Sequence, residues 1–312
     1  MKSNNKSSIC FALIHNNNIQ RNEYIKPRLV QLSGALSSKY DVTQIEISAQ
    51  PKIVLHSVWL AVLRSLMYAK LCREWSKYRE IPSPSMLRSL CSVTWINIKK
   101  HLFQNKSKSP LQGAKHEDFQ HPKGDTQSGG EYTSSDFRVI WRKNSFIETI
   151  VTDKHIRAWS AFIETDCEYL ICFEDDAVFK DDSMERLCKL FDMFIIRGLN
   201  QCLYVDLAGG CKFNNLKISQ LQINKIDGFV HYKKPVTNTA CVYLLSRPVV
   251  AKFLDQLIGQ PCLRLIGVDW LMNKLFMLMS KKKFECFCIH AEPSIFKHGS
   301  TTGEYLTWQA PT

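Results

Sequence analysis

The chain has 312 residues, of which 45% are hydrophobic and 22% are charged. This composition is typical of a globular protein with a substantial core, and it excludes a wholly disordered chain. No apolar run reaches the ~18 residues needed to cross a bilayer, and the polar residues 1–8 lack the apolar stretch of a signal peptide. We therefore expect a cytoplasmic protein that folds as a single domain over residues 1–312.

The net charge of +12 is concentrated in one part of the chain. Between Lys52 and Lys108 there are eleven lysines and arginines against two glutamates, a surplus of nine. A nucleic-acid-binding protein usually spreads its basic residues more widely, so we expect no nucleic-acid partner. The pattern indicates a basic helical insertion over residues 51–103, followed by a flexible low-complexity loop over residues 104–136.

The twelve cysteines show neither CxxC pairs nor the Cys/His spacing of a zinc finger. Several of them lie inside apolar runs, where a free thiol behaves as a small buried hydrophobic group. We expect free, structural cysteines and no disulfide framework.

The periodicity of the apolar residues predicts an α/β protein that opens with a βαβ unit. Strands are predicted at 9–14, 42–47, 137–141, 169–173, 202–207, 240–245 and 284–290. Helices are predicted at 24–38, 53–72, 86–103, 152–165, 182–197, 248–257 and 269–279. Asp182 and Ser183 are predicted to cap their helix, with Glu185 completing a capping box.

Three consecutive carboxylates, Glu174, Asp175 and Asp176, directly follow the apolar strand at 169–173. Crowded acidic groups raise one another's pKa values unless a cation lies among them. Ligands of open α/β sheets bind at the carboxyl ends of the strands, and Mg²⁺ and Mn²⁺ are bound there through carboxylates and phosphate oxygens. The cluster therefore indicates a divalent-metal site, unless it simply ends the strand in a solvated turn.

The segment Phe173–Ala177 (FEDDA) resembles the LEDDA signature of family 25 glycosyltransferases, the lipooligosaccharide and lipopolysaccharide galactosyltransferases and their relatives. Other segments are similar to this family in the same order, and the resemblance covers residues 8–48 and 138–303. They are 155–159 (HIRAW), 238–246 (NTACVYLLS), 251–254 (AKFL), 267–270 (GVDW) and 290–300. The opening, residues 9–18, departs from the family pattern and keeps Asn16, with Arg21 shortly after it, while Lys154 stands where the family usually has serine.

The resemblance implies a GT-A-like, Rossmann-like mixed sheet flanked by helices, together with a UDP-sugar donor. It also implies an inverting transfer of a hexose, often galactose, to a glycan or glycolipid acceptor of the lipopolysaccharide type. Asp176, assisted by Glu174 or alternatively by Asp175, and His298 are the expected ligands of Mn²⁺ or Mg²⁺, with His290 as an alternative to His298. The expected contacts to the donor nucleotide are Asn16, Arg21, His155, Glu174 and Asp175. Asp269 is expected either to act as the base on the acceptor hydroxyl or to cap its helix.

The predicted helix of the insertion gives two interpretations. Its apolar face, formed by Leu55, Trp59, Val62, Leu63 and Leu66, either meets an anionic membrane surface or packs on the core with a solvated basic face opposite.

Two other functions stay open at this point. A catalytically silent GT-A-like protein that binds glycan or membrane predicts no loss of function in Asp176→Asn. A metal-dependent nuclease predicts salt-dependent binding to nucleic acid.

Overall fold

A computed structural model describes residues 7–48, 58–85, 136–195, 202–210 and 213–299. They form an α/β protein in which a large mixed sheet is flanked by helices. The strands are β1 Ser8–Ile14, β2 Asp41–Ile47, β3 Tyr169–Glu174, β4 Ala177–Phe179, β5 Leu203–Asp206, β6 Gln222–Ile226, β7 Phe229–Tyr232, β8 Val242–Ser246, β9 Phe287–Ala291 and β10 Phe296–His298. The helices are α1 Ile19–Leu36, α2 Val58–Tyr78, α3 Asp136–Ile163, α4 Ser183–Leu190, α5 Phe213–Leu216, α6 Arg247–Gly259 and α7 Val268–Lys281.

The main sheet has the strand order β2-β1-β3-β8-β5-β9-β7-β6, and β4 pairs separately with β10. Strands β2, β1 and β3 are parallel, β8 is antiparallel to both β3 and β5, and β9 is parallel to β5. The carboxyl ends of β1, β3, β5 and β9 therefore meet at one edge of the sheet, which we call the carboxyl edge. The first residues of the reversed strand β8 lie at the same edge.

Successive side chains of a strand point to opposite faces of a sheet, so each buried strand serves two cores. Cys10, Ala12 and Ile14 of β1 belong to the core formed with α2, α3, α6 and α7. Phe11 and Leu13 belong to the core formed with α1 and α4. Both faces of the sheet are covered, which explains why the central strands read as continuous apolar runs.

The predicted βαβ opening is confirmed by β1, α1 and β2. Helix α1 begins at Ile19, five residues before the predicted start, because Asn18 caps it. The Asn18 side-chain oxygen accepts a hydrogen bond of 2.9 Å from the backbone N–H of Arg21, which satisfies one of the free donors at the start of a helix.

The strand predicted at 137–141 is wrong, because these residues form the beginning of helix α3. Apolar residues at 137, 140 and 141 have helical spacing, and neither proline nor glycine interrupts the sequence between Asp136 and Ile163. A helix that is anchored by its buried second half can therefore extend back to Asp136.

The capping box predicted before α4 is also wrong, because Asp182 makes no side-chain cap hydrogen bond. The Ser183 hydroxyl instead accepts a hydrogen bond from the Lys180 backbone N–H and donates one to the Ile295 carbonyl. It thereby ties the start of α4 to the segment before β10. The helix ends at Leu190 and continues as a wider turn to Ile195.

Three features of the sheets were not predicted. β6 and β7 form a hairpin across Asp227 and Gly228, which both have positive φ angles of 49° and 83°. Asp-Gly is the usual sequence for such a two-residue turn, so this signal was present and was overlooked. Strands β4 and β10 have three residues each and are too short to give a period.

Helix α2 is the described part of the basic insertion, and it packs on the core through Leu71, Trp75 and Tyr78. Leu63 and Leu66 are about half exposed on its other side, at 42% and 44%. The predicted helix at 86–103, the loop at 104–135 and Leu55 lie outside the described residues. No helix among the described segments has the length and hydropathy of a membrane span.

Candidate active site

Side chains with titratable groups converge on the carboxyl edge from five elements. Glu174 ends β3 with Asp176 two residues on, Asp206 ends β5, and Asp269 lies in the first turn of α7. His298 ends β10, and Cys241 directly precedes β8. The topology of the sheet therefore brings the predicted residues Glu174, Asp176, Asp269 and His298 to one region.

Asp176, which is buried, forms an ion pair with the partly buried His298. The Nε2 atom of His298 lies 3.1 Å from Oδ2 of Asp176, and the Asp176 carbonyl accepts a hydrogen bond of 2.9 Å from the Gly299 backbone N–H. Burial opposes the charged form of His298, but the hydrogen bond to Asp176 and the negative charges of Asp176, Glu174 and Asp269 raise its pKa to about 9. These two residues were predicted as metal ligands, and they lie side by side.

Glu174 makes its contact with His155 rather than with His298. The Nε2 atom of His155 lies 2.9 Å from Oε1 of Glu174, and its Nδ1 atom lies 2.8 Å from the Tyr243 hydroxyl. Trp159 also donates to that hydroxyl, at 2.9 Å. With a neutral imidazole, Nε2 donates to the carboxylate and Nδ1 accepts from Tyr243, so the chain of hydrogen bonds fixes the position of Glu174.

Asp175 points away from this region and holds the loop that follows β1. Its carboxylate pairs with Arg21 at 2.9 Å and accepts a hydrogen bond of 3.1 Å from the Asn16 backbone N–H. Burial raises the pKa of Asp175, and the charge of Arg21 opposes that shift. Asn16, Arg21 and Asp175 thus form one unit beside the site, and their contact with a nucleotide stays a prediction.

Asp269 contributes a buried carboxylate oxygen to this region. Its Oδ1 atom is buried and has no hydrogen-bond partner among the described residues, so this oxygen does not cap α7. Burial raises the pKa of Asp269 to about 6, and the negative charge of Glu174 adds to the shift while the charge of His298 opposes it. A carboxylate with such a pKa is suited to accept a proton near neutral pH.

Asp206 is a site residue that was not predicted. It accepts hydrogen bonds from the Tyr204 hydroxyl at 2.8 Å and from the backbone N–H groups of Asn238 and Gly209 at 2.9 and 3.0 Å. Burial raises its pKa to about 6, and these hydrogen bonds oppose the shift. The sequence signal was an acidic residue at the end of an apolar strand, the same signal that singled out Glu174.

The backbone beside His298 is closely packed and strained. A Cβ atom on Gly210 would lie 2.2 Å from Cγ2 of Thr239 and 3.0 Å from Nδ1 of His298. Thr239 has a φ angle of 101°, which is rare for a β-branched residue and is found mainly where function or packing demands it. Only glycine fits at position 210 without displacing these neighbours.

His290 does not join the acidic cluster. Its ring packs against those of Tyr204 and Tyr232, at centroid distances of 6.2 and 5.0 Å. Burial lowers its pKa to about 4, so it is neutral at physiological pH. It lies in the core below the carboxyl edge, and no described contact joins it to Asp176.

The insertion helix holds the segment that leads into α7. Arg64 of α2 pairs with Glu148 and donates a hydrogen bond of 2.7 Å to the Leu265 carbonyl. The Tyr68 hydroxyl accepts a bond of 2.7 Å from the Gly267 backbone N–H, two residues before Asp269. The position of Asp269 therefore depends on a helix that lies outside the stretches resembling the glycosyltransferase family.

No protein-family model matches this chain, and a comparison with curated proteins finds no similar sequence. Functional inference therefore rests on the residues of the carboxyl edge. There, four acidic side chains (Glu174, Asp176, Asp206 and Asp269) interact electrostatically with His298, and Asp269 also interacts with Glu174 and Asp206. A region this rich in carboxylates is suited to a bound cation.

Proposed function

We propose that the protein is a glycosyltransferase with a GT-A-like fold, as its motifs imply. It transfers a hexose, galactose in our proposal, from a UDP-sugar to a hydroxyl of a glycan or glycolipid acceptor with inversion. The observation that carries the proposal is the buried Oδ1 of Asp269, which has no hydrogen-bond partner in the part of the chain that the structure describes. This oxygen belongs to the same charged cluster as the Asp176–His298 pair. A base and a cation site side by side are what this reaction requires.

The residues present fit a divalent metal ion. Asp176 and His298 offer an oxygen and a nitrogen at the carboxyl edge, with further carboxylates near them. When bound, the ion supplies Lewis-acid stabilisation of the negative charge that develops on the diphosphate leaving group. Glu174, which was expected as a ligand, is held by His155, and we propose that it acts from that position through its charge.

Asp269 is the proposed base. Its carboxylate takes the proton of the acceptor hydroxyl while the hydroxyl oxygen forms a bond to the anomeric carbon. The bond between that carbon and the diphosphate oxygen breaks on the opposite face, and UDP leaves with the electron pair. Attack from the face opposite to the leaving group inverts the configuration, and a pKa of about 6 leaves Asp269 ionised at neutral pH.

Calorimetric titration with UDP tests the donor and the metal site together. We expect UDP to bind in the presence of Mn²⁺ or Mg²⁺ and to lose most of its affinity in EDTA or in the Asp176→Asn variant. Asp182→Asn is the matched control, because Asp182 lies on the surface at the start of α4. The absence of UDP binding under every condition would contradict the proposal and favour the silent binding protein.

We also propose that the protein works in the cytoplasm at the surface of an anionic membrane. Leu63, Leu66, Lys70 and Lys77 are exposed along one side of α2. Leucines that insert between head groups, next to lysines that pair with anionic lipids, suit a peripheral contact.

A further inference from the structure

One cysteine lies close enough to the Asp176–His298 pair to share a metal ion with it. Ligand atoms of Asp176, Cys241 and His298 all lie within 4.8 Å of one another. The Sγ atom of Cys241 is 3.5 Å from Oδ1 of Asp176, and Nε2 of His298 is 3.1 Å from Oδ2. Tetrahedral zinc, with bonds of about 2.0–2.3 Å, separates its ligand atoms by about 3.5 Å, so these distances are already near those of a formed site.

The three side chains are held in place by the backbone around them. His298 pairs with Ala177 across the β4–β10 ladder, so the ladder fixes His298 next to Asp176. The Cys241 carbonyl accepts a hydrogen bond of 2.8 Å from the Glu174 backbone N–H, which joins the start of β8 to the end of β3. Cys241 and Asp176 are both buried. A site built on sheet elements in this way needs little rearrangement to bind an ion.

The donor set also discriminates between metals. Mg²⁺ is a hard ion that takes oxygen ligands, whereas thiolate and imidazole ligands suit borderline ions such as Zn²⁺ and Co²⁺. Three protein ligands are typical of a catalytic zinc site, in which the fourth position stays open for water or substrate. We propose that Cys241 is the third protein ligand of the metal site and that the site prefers Zn²⁺ or Co²⁺ to Mg²⁺.

The thiol carries its proton in the metal-free protein. Burial and the neighbouring carboxylate of Asp176 raise the pKa of Cys241 well above its usual value. When the ion binds, the sulfur forms a bond to the metal and the thiol proton passes to solvent, as does the proton on Nε2 of His298. The open position is the one that a diphosphate oxygen of the donor would take, and in this respect the inference rests on the proposed function.

Titration with Co²⁺ followed by absorption spectroscopy tests this site without any nucleotide or activity. A thiolate bound to Co²⁺ gives a charge-transfer band in the near ultraviolet, and tetrahedral Co²⁺ gives intense visible bands. All variants are made in a Cys262→Ser background, because Cys262 is exposed and has no part in the site. We expect the parent to show both bands, to hold Co²⁺ against a large excess of Mg²⁺, and to release it to Zn²⁺.

Cys241→Ala should lose the charge-transfer band and weaken Co²⁺ binding by roughly tenfold or more. Cys10→Ala is the matched control, since Cys10 is an equally buried strand cysteine on β1, and it should keep both the band and the affinity. His298→Gln provides a second loss-of-ligand variant that does not alter the core around Cys241.

Two results would overturn the inference: no charge-transfer band in the parent, or an unchanged band in Cys241→Ala. Displacement of Co²⁺ by an equal concentration of Mg²⁺ would overturn the proposed metal preference. The test is separable from that of the proposed function. If UDP binds in a metal-dependent way but no thiolate band appears, the transferase proposal stands and the role of Cys241 is contradicted. If the thiolate band appears but UDP does not bind under any condition, the metal site stands and the transferase proposal is contradicted.

Discussion

His298 is the residue whose charge most depends on the site around it. In the metal-free protein its pKa is about 9, compared with 6.5 for an ordinary histidine. The protonated ring is held by Asp176 among four carboxylates, so it partly replaces the cation that the cluster is suited to bind. Its proton also competes with a metal ion for the same nitrogen.

The raised pKa predicts a definite pH dependence of stability. Because the folded pKa lies above the unfolded one, the contribution of His298 is fully present below about pH 6.5 and is lost as the pH rises through about 9. The loss is on the order of 3 kcal/mol, from ~1.4 kcal/mol per pKa unit. Denaturant unfolding in EDTA at intervals from pH 6 to 10 measures it.

His298→Gln should flatten that curve between pH 6.5 and 9, and an equally steep fall in the variant would contradict the assignment. The contributions of Asp206 and Asp269 do not interfere. Their folded pKa values of about 6 lie above the ordinary value of 3.8, so the stability that they give is fully present below about pH 4 and is lost as the pH rises from about 4 to 6, before the range in which His298 titrates.

At the residue scale, the sequence indicated a functional acidic cluster, because crowded carboxylates after an apolar strand repel one another unless a cation lies among them. It could not divide the three acids among their roles. Asp175 turns to Arg21, Glu174 turns to His155, and Asp176 turns to His298. These partners come from distant parts of the chain, and local patterns carry no information about which of them is nearest.

Helix α2 connects the basic insertion with the site. Its Arg64 and Tyr68 bind the segment at 265–267, and Thr152 of α3 donates to the Ile266 carbonyl at 2.7 Å. Three consecutive residues before α7 are thus held by side chains from two other helices. We infer that the insertion fixes the start of α7, and with it the carboxylate of Asp269.

Tyr68→Phe tests this support. Loss of the hydroxyl leaves the Gly267 N–H without its acceptor, which costs about 1–3 kcal/mol for a buried group and loosens the turn that carries Asp269. We expect kcat for sugar transfer to fall roughly tenfold, while the affinity for UDP stays unchanged. Lys189→Ala, on the exposed side of α4, should alter neither quantity. A Tyr68→Phe enzyme with normal kcat would show that α2 has no positioning role.

The outer side of α2 makes a separate prediction. Replacement of both Leu63 and Leu66 by serine should reduce pelleting with vesicles that contain anionic lipid severalfold, because about half of each leucine is exposed and its apolar surface drives insertion. Ile258→Ser, at the exposed end of α6, is the matched control. Equal pelleting of the double variant and the parent would contradict the proposed membrane contact. Point variants are preferable to deletion of the insertion, because α2 also fills part of the core.

At the element scale, long and strongly periodic segments were predicted well and their ends were not. The apolar spacing predicts the buried half of α3, whereas the sequence of its first turns predicts a strand, because a short apolar run fits either structure. The β6–β7 hairpin was missed although Asp227-Gly228 is a strong turn signal. β6 is exposed along its whole length, so it lacks the alternation that usually reveals a strand.

At the scale of the whole molecule, the residues of the candidate site lie at one edge of the sheet. Strands β1, β3, β5 and β9 all end there, the reversed strand β8 begins there, and β10 and α7 add His298 and Asp269. The mixed strand order therefore assembles a proposed base and a candidate metal site from residues that are spread over more than 120 positions of the chain, from Glu174 to His298. The sequence motifs lie on several of these segments, and the topology of the sheet brings those segments to one edge.

The measurement that most directly tests the central proposal is sugar transfer by the parent and by Asp269→Asn. UDP release from UDP-galactose is followed with Mn²⁺ or Co²⁺ present and with a lipooligosaccharide lacking its terminal galactose as acceptor. The variant should fold, because burial already disfavours the charged form of Asp269.

We predict acceptor-dependent release by the parent, a fall of roughly 10²–10⁴-fold in Asp269→Asn, and unchanged binding of UDP. Normal turnover by Asp269→Asn would contradict the role of this residue as the base. Failure of the parent to release UDP from UDP-galactose, and from UDP-glucose in its place, would contradict the proposed transfer itself.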